Sequence, residues 1–283
     1  MSLLESFKRL FTISDLKGKN SEDGSALLDP YALLSPGMRE VRDWKTIKNP
    51  PFEPLENTIS GKIWAEISGG HKWLDYFAIY DREFSRFRNM APRVLEIGVY
   101  KGASIQLWKE FFGKDANIVG VDIDQTCHAF HAPEKGIFVE IGSQADFSFL
   151  QGVVARYGPF DIVIDDGSHV ASHQIASFNA LFGSGLKDGG IYFVEDLECI
   201  YWGNTDEYRD QPISSVDFFK MLVDVQNRIF AEYSYADFAL HLDQSLDGVL
   251  SPEIARHLAS VKFYRGIAVI EKKLQMPPRV LHI

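Results

Sequence analysis

Val94-Leu95-Glu96-Ile97-Gly98-Val99-Tyr100-Lys101-Gly102-Ala103-Ser104 is the stretch that decides the fold. Val94–Ile97 is a short apolar strand. Gly98 and Gly102 then allow a tight turn whose backbone can approach a ligand closely. Ser104–Phe112 follows with helical spacing. The glycine spacing is not the Gly-x-Gly-x-x-Gly of dinucleotide-binding turns. A strand, a small-residue turn and a helix make the opening unit of an alternating α/β sheet.

Reading outward, the same alternation continues. Strands are expected at Ile118–Val121, Ile137–Ile141, Asp161–Ile164 and Gly190–Val194. Helices are expected at Phe147–Tyr157, Ala171–Phe182 and Phe218–Phe230. Val261–Tyr264 and Ile267–Ile270, joined at Arg265-Gly266, read as a closing hairpin. The sheet is therefore expected to be mostly parallel, with helices on both faces and one antiparallel strand added at the end. Upstream, residues 61–90 read as helical, with Trp73, Phe77, Tyr80 and Phe84 recurring every three or four positions. Residues 1–60 read differently. Five of the twelve prolines fall between Pro30 and Pro54, and Pro50-Pro51 breaks regular structure. Leu3, Leu4, Phe7, Leu10 and Phe11 have helical spacing, suited to a short surface helix. The division is thus an N-terminal extension over 1–60 (arm, lid or interface) and a main domain over 61–283.

Composition narrows the class. With 283 residues and 46% hydrophobic content, the chain can bury a sizeable core. Its 39 acidic residues against 29 Lys and Arg give a net charge of −10, which disfavours a nucleic-acid partner. Two cysteines, Cys127 and Cys199, cannot build a disulfide framework and suit a reducing cytoplasm, as small buried hydrophobes. No apolar run is long enough to span a membrane, and Met1–Phe11 lacks the unbroken apolar core of a signal peptide.

In open α/β sheets ligands bind at the carboxyl ends of the strands. Asp122, at the second tip, can accept both hydroxyls of a ribose. Gly142-Ser143-Gln144-Ala145-Asp146, at the third, is small and polar enough for an adenine edge. Each glycine alone is compatible with an ordinary loop; the ordered set at successive tips is what points to a nucleoside cofactor.

The fourth and fifth tips read Asp165-Asp166-Gly167-Ser168-His169 and Glu195-Asp196. Adjacent tips bring Asp166, Glu195 and Asp196 together. Three carboxylates without a nearby thiolate suit a hard cation, Mg²⁺ first and Mn²⁺ or Ca²⁺ next. His169, three residues past Asp166, can take a proton from a hydroxyl near neutral pH. Competing readings are a plain Asp-Asp-Gly turn, a backbone-bonding His169, and a zinc pair of His169 with His173. Tyr201 and Trp202 suit either a ligand pocket or the core.

These motifs carry a family resemblance. Glu96–Ser104 matches the acidic-x-Gly-x-x-x-Gly turn of class I methyltransferases. Lys72-Trp73 with Tyr76-Phe77-x-Ile79-Tyr80, Ile141–Asp146, Asp161–His169 with His173-Gln174, and Glu195-Asp196 with Tyr201-Trp202 resemble the metal-dependent sugar O-methyltransferases, over roughly residues 70–273. The resemblance implies a Rossmann-like, seven-stranded class I fold. It implies S-adenosylmethionine at Glu96, Gly98, Gly102, Ser104, Asp122, Gly142, Ser143, Gln144, Asp146 and Asp165, with Glu96 on the amino group of the methionine part. It further implies Mg²⁺ on Asp166, Glu195 and Asp196, His169 as general base, and a small sugar or glycoside acceptor near Lys72, Trp73, Tyr76, Tyr201 and Trp202. Homo-oligomers are common in the family. The chain departs from its pattern at Ala103, Ser143, Asp75 and Glu83, the last two where an acceptor can bind. A catechol-type O-methyltransferase and a non-catalytic cofactor-binding scaffold are the competing functions.

Overall fold

The computed structural model describes residues 54–202, 206–231 and 250–276. The expected helix at Leu3–Phe11 lies outside them. The sheet has seven strands in the order β3-β2-β1-β4-β5-β7-β6. These are β1 (Arg93–Ile97), β2 (Asn117–Asp122), β3 (Ile137–Ile141), β4 (Phe160–Asp165), β5 (Leu186–Val194), β6 (Leu258–Tyr264) and β7 (Ile267–Lys272). β1 to β5 pair in parallel, and β7 slots antiparallel between β5 and β6. This is the mostly parallel sheet with a closing hairpin that the sequence pattern predicts.

Among the described residues, the helices of more than one turn, in chain order, are α1 (Ile59–Ala65), α2 (Leu74–Phe84), α3 (Ala103–Phe112), α4 (Phe147–Tyr157), α5 (Ala171–Leu181), α6 (Ser215–Ala231) and α7 (Pro252–His257). One face of the sheet packs on α2 and α3 through Tyr80, Phe84, Trp108, Phe112 and Phe193. The Tyr80 and Trp108 rings meet edge to face at 4.9 Å, the arrangement their quadrupoles favour. The other face packs on α4 to α7 through Leu150, Phe178, Tyr192, Phe218 and Leu222. Burying aromatic side chains on both faces is what makes the central strands near-continuous apolar runs.

Two expectations change. Residues 61–90 are not one helix: α1 ends at Ala65, and an irregular segment that includes Gly69, at φ +83°, separates it from α2. Trp73, placed on the apolar stripe by spacing, becomes the N-cap of α2 and is 50% exposed, whereas Phe77, Tyr80 and Phe84 are buried. α1 also starts before residue 61, capped by the Thr58 hydroxyl accepting from the Gly61 amide. β5 begins at Leu186, because its register resumes past an irregularity next to Gly189 and Gly190.

Register then positions the chemistry. Ile97 pairs with Asp165 across β1–β4, and Asp165 pairs with Val194 across β4–β5. Gly98, Asp166 and Glu195 therefore leave three adjacent strand tips together.

Candidate active site

A cavity of about 690 Å³ opens over the carboxyl ends of β1, β2, β3 and β4. Gly98, Asp122, Gly142, Ser143, Gln144, Asp166, His169 and Asp196 all line it. Gly98 has φ +98°, and a Cβ there would sit 2.0 Å from the Asp166 carbonyl oxygen. Only glycine lets the β1 turn pass beneath the β4 tip. Asp122 is held by its neighbours: Oδ2 accepts from the Val99 and Tyr100 amides, each at 2.9 Å, and Oδ1 from the Asp124 amide at 2.9 Å. Partial burial opposes its charge, but these amide bonds outweigh burial and keep its carboxyl below the usual range. Gln144 ties two tips together, donating to Asp165 at 3.0 Å and accepting from the Ser168 amide at 2.7 Å.

Several residues expected on the cofactor lie behind the wall rather than on it. Glu96 is fully buried beneath the turn and accepts from the Trp108 indole at 2.8 Å, while its Oε2 is buried without a partner. Burial pushes its pKa up to about 8, against Lys72 and Trp108, which pull it down. Ser104 is buried on α3. Gly102, with φ +73°, starts α3 against the Phe130 ring. Asp146 caps α4 by accepting from the Phe149 amide at 3.0 Å. Asp165 is fully buried and bonded by Gln144, Ser177 and Tyr192. Conversely, Ile123, 75% exposed at the cavity edge, joins the lining together with Tyr100, Asp124, Cys127 and His71. An apolar residue immediately past the Asp122 tip was the signal available for Ile123.

At the mouth stand the acids. Asp166, His169 and Asp196 offer ligand atoms that all lie within 4.8 Å of one another. His169 Nε2 is 3.5 Å from Asp196 Oδ2, and its Nδ1 is buried and unpartnered among the described residues. His169 and Asp196 both adopt left-handed backbone, at φ +59° and +54°. Such conformations in non-glycine residues concentrate at functional sites. Glu195 is fully buried; its Oε2 is taken by Lys72 and Tyr80, and its Oε1 has no partner among the described residues. Asp166 and Asp196, with His169 between them, are oxygen-rich donors that suit a hard divalent cation, whereas Glu195, expected among the ligands, falls outside the group whose ligand atoms meet. The zinc pair is not assembled: His169 precedes α5, and His173 Nδ1 lies 2.8 Å from Ser168 Oγ.

Lys72 and Tyr76, expected near the acceptor, bond the strand-tip acids and also line a second cavity. The Lys72 ammonium lies 2.5 Å from Asp166 Oδ2 and 2.6 Å from Glu195 Oε2, with only 5% of its side chain exposed. Burial opposes this charge, but the two carboxylates outweigh burial and hold the ammonium above the ordinary lysine range. Tyr76 OH donates to Asp196 Oδ1 at 2.8 Å. A second cavity, of about 520 Å³, is lined by Lys72, Trp73, Leu74, Asp75, Tyr76, Glu198, Arg265 and Gly266. Tyr201 and Trp202 face solvent outside both cavities, with Trp202 edge-on to Tyr208 at 6.0 Å. Of the departures from the family pattern, Asp75 reaches the second cavity, paired to Arg265 at 3.1 Å. Glu83 is instead buried under Lys262 and Tyr264.

No family model matches the chain. Among curated proteins it is 38% identical over 204 residues to demethylmacrocin O-methyltransferase of Streptomyces fradiae, covering 68% of this chain and 47% of that protein. It is 36% identical over 204 residues to mycinamicin VI 2''-O-methyltransferase of Micromonospora griseorubida, with the same two coverages of 68% and 47%. The chain thus spans about half the length of these relatives. Among solved structures, the MycE methyltransferase from the mycinamycin pathway, in complex with Mg, SAH and mycinamycin VI, superposes with a TM-score of 0.58 at 31% identity. That match covers 79% of this chain and 54% of MycE. By sequence and by fold, the chain is a homologue of the macrolide and deoxysugar O-methyltransferases, built on the class I methyltransferase sheet.

Proposed function

We infer that this protein transfers a methyl group from S-adenosylmethionine to a hydroxyl of a sugar or glycoside, with a divalent cation, Mg²⁺ first, at Asp166, Glu195 and Asp196. The observation that carries this reading is the meeting of Asp166, His169 and Asp196 within 4.8 Å in the cavity that Gly98, Asp122 and Gln144 also line; Glu195, next to Asp196 in the chain, is the third proposed ligand. Its homologues methylate sugar-bearing natural products, and MycE binds Mg and SAH. S-adenosylmethionine supplies an activated methyl carbon, and the cation supplies positive charge that lowers the acceptor hydroxyl pKa.

The chain's own residues do the remainder. Asp122 presents a fixed carboxylate to the ribose, and the Gly98 turn lets backbone approach the cofactor. His169 Nε2 accepts the proton of the acceptor hydroxyl as its oxygen bonds to the methyl carbon and the carbon–sulfur bond breaks. Asp196, 3.5 Å from that nitrogen, offsets the imidazolium charge. The acceptor enters from the side of Trp73 and the second cavity.

The test is a panel of sugars, glycosides and catechols assayed with labelled S-adenosylmethionine, in EDTA and with restored Mg²⁺. Methylated sugar that appears only with Mg²⁺ is the expected result. Full turnover in EDTA removes the metal, and turnover of catechols alone removes the sugar.

A further inference from the structure

Positions 72, 76 and 80 are four residues apart and share one face of α2 and its lead-in, turned toward the tips of β4 and β5. Tyr76 donates to Asp196 Oδ1 at 2.8 Å, and Tyr80 donates to Glu195 Oε2 at 2.9 Å. Lys72 donates to Asp166 Oδ2 at 2.5 Å and Glu195 Oε2 at 2.6 Å. Each of the three acids assigned to the cation therefore has one oxygen held from this single face. The three holders differ in kind. Tyr76 and Tyr80 are neutral, buried and carried by a helix that Phe77 and Phe84 anchor in the core. Lys72 is charged and precedes the N-cap Trp73, in the irregular segment after Gly69 and Gly70.

We propose that this face has two parts with opposite effects on cation binding. Tyr76 and Tyr80 are positioning residues that fix the acids, and Lys72 is a placeholder cation that keeps Asp166 and Glu195 together and yields them when a divalent ion binds. The proposal rests on the metal reading above. Its argument is electrostatic. An ammonium and a dication on the same two carboxylates repel strongly in a site so little exposed to water. Donors outside the ligand set, by contrast, orient ligands without competing for the metal. Lys72 also has somewhere to go. The second cavity, whose wall it forms, carries Asp75 and Glu198, and Glu198 Oε1 is buried without a partner among the described residues.

The experiment is Mn²⁺ titration of the full chain followed by electron paramagnetic resonance, without cofactor or acceptor. It compares the wild type with Tyr76→Phe, Tyr80→Phe, Lys72→Met and Lys72→Arg. The tyrosine variants are expected to bind Mn²⁺ about tenfold more weakly. Lys72→Met is expected to bind about tenfold more tightly or better, because a repelling charge is gone. Lys72→Arg, which keeps the charge, should stay near wild type. A merely structural role would move the variants in one direction; opposite signs mark the division. S-adenosylmethionine affinity, measured by calorimetry without metal, reports folding. Tyr80 lies in the core, so Tyr76→Phe at the cavity wall carries the tyrosine arm if Tyr80→Phe loses cofactor binding. Weaker or unchanged Mn²⁺ binding in Lys72→Met overturns the proposal, as does unchanged binding in the tyrosine variants. A wild type that binds no Mn²⁺ overturns the metal reading itself, and that outcome shows in the first arm alone.

Discussion

Lys72→Met should lower the melting temperature of the metal-free protein and enlarge the stabilisation that Mg²⁺ brings. The ammonium contacts two carboxylates at 2.5 and 2.6 Å, one of them fully buried, and is itself 5% exposed. Removing one partner of a buried ion pair costs about 3–5 kcal/mol, because the other charge is left uncompensated. For a domain of this size each kcal/mol moves Tm by roughly 2–4 °C. The metal-free variant should therefore melt on the order of 10 °C below wild type at pH 8. A bound ion stabilises by RT ln(1 + [L]/Kd), so a tenfold tighter Kd adds about 1.4 kcal/mol at the same saturating Mg²⁺. The Mg²⁺-induced rise in Tm should then exceed that of wild type by roughly 3–5 °C. The assay is differential scanning fluorimetry across a Mg²⁺ series after chelation. The reasoning fails if the metal-free variant melts within a degree or two of wild type. It also fails if Mg²⁺ shifts the variant no more than the wild type.

Three further outcomes follow from the geometry. His169→Ala should cut turnover by roughly 10²–10⁴-fold if the imidazole takes the proton, while cofactor affinity by calorimetry stays near wild type; a near-normal rate removes the assignment. Glu96→Gln should flatten the fall of stability with pH. The unfolded acid releases its proton at the ordinary carboxylate value and the folded one at about 8, so wild-type stability declines as pH rises through that window. The gap between the two proteins should reach on the order of 4 kcal/mol by pH 8, and denaturant melts at pH 5 and pH 8 that run parallel would refute it. Gly98→Ala should destabilise by about 2 kcal/mol or more, since its Cβ would meet the Asp166 carbonyl oxygen at 2.0 Å; wild-type Tm and Mn²⁺ affinity together would show that the tip can relax.

What the sequence discloses follows local physics. Ile137–Ile141 and Phe147–Tyr157 are read at their observed bounds because apolar runs, Gly142 and the Asp146 cap punctuate them locally. The split between α1 and α2 is harder to see, since the apolar spacing runs on through Trp73 and only Gly69-Gly70 interrupts it. The strand-tip acids are legible from their place after each apolar run. Their partners are not: Lys72 lies 94 residues from Asp166 and 123 from Glu195, so only the packing of α2 on the sheet joins them. Glu96 shows the same limit, because a carboxylate at a strand tip reads as ligand-facing until the Trp108 indole is found beneath it.

The insertion of β7 between β5 and β6 also bears on how the chain is made. β1 to β5 and the tips that carry Asp166, Glu195 and Asp196 leave the ribosome first, with the outer edge of β5 still bare. Among the described residues, 191–194 of that edge pair with Ala268–Glu271. Throughout the synthesis of more than seventy intervening residues, an apolar strand edge is open to pairing with a neighbouring chain. A truncation ahead of Ile267 would make that exposure permanent, leaving the edge open to aggregation.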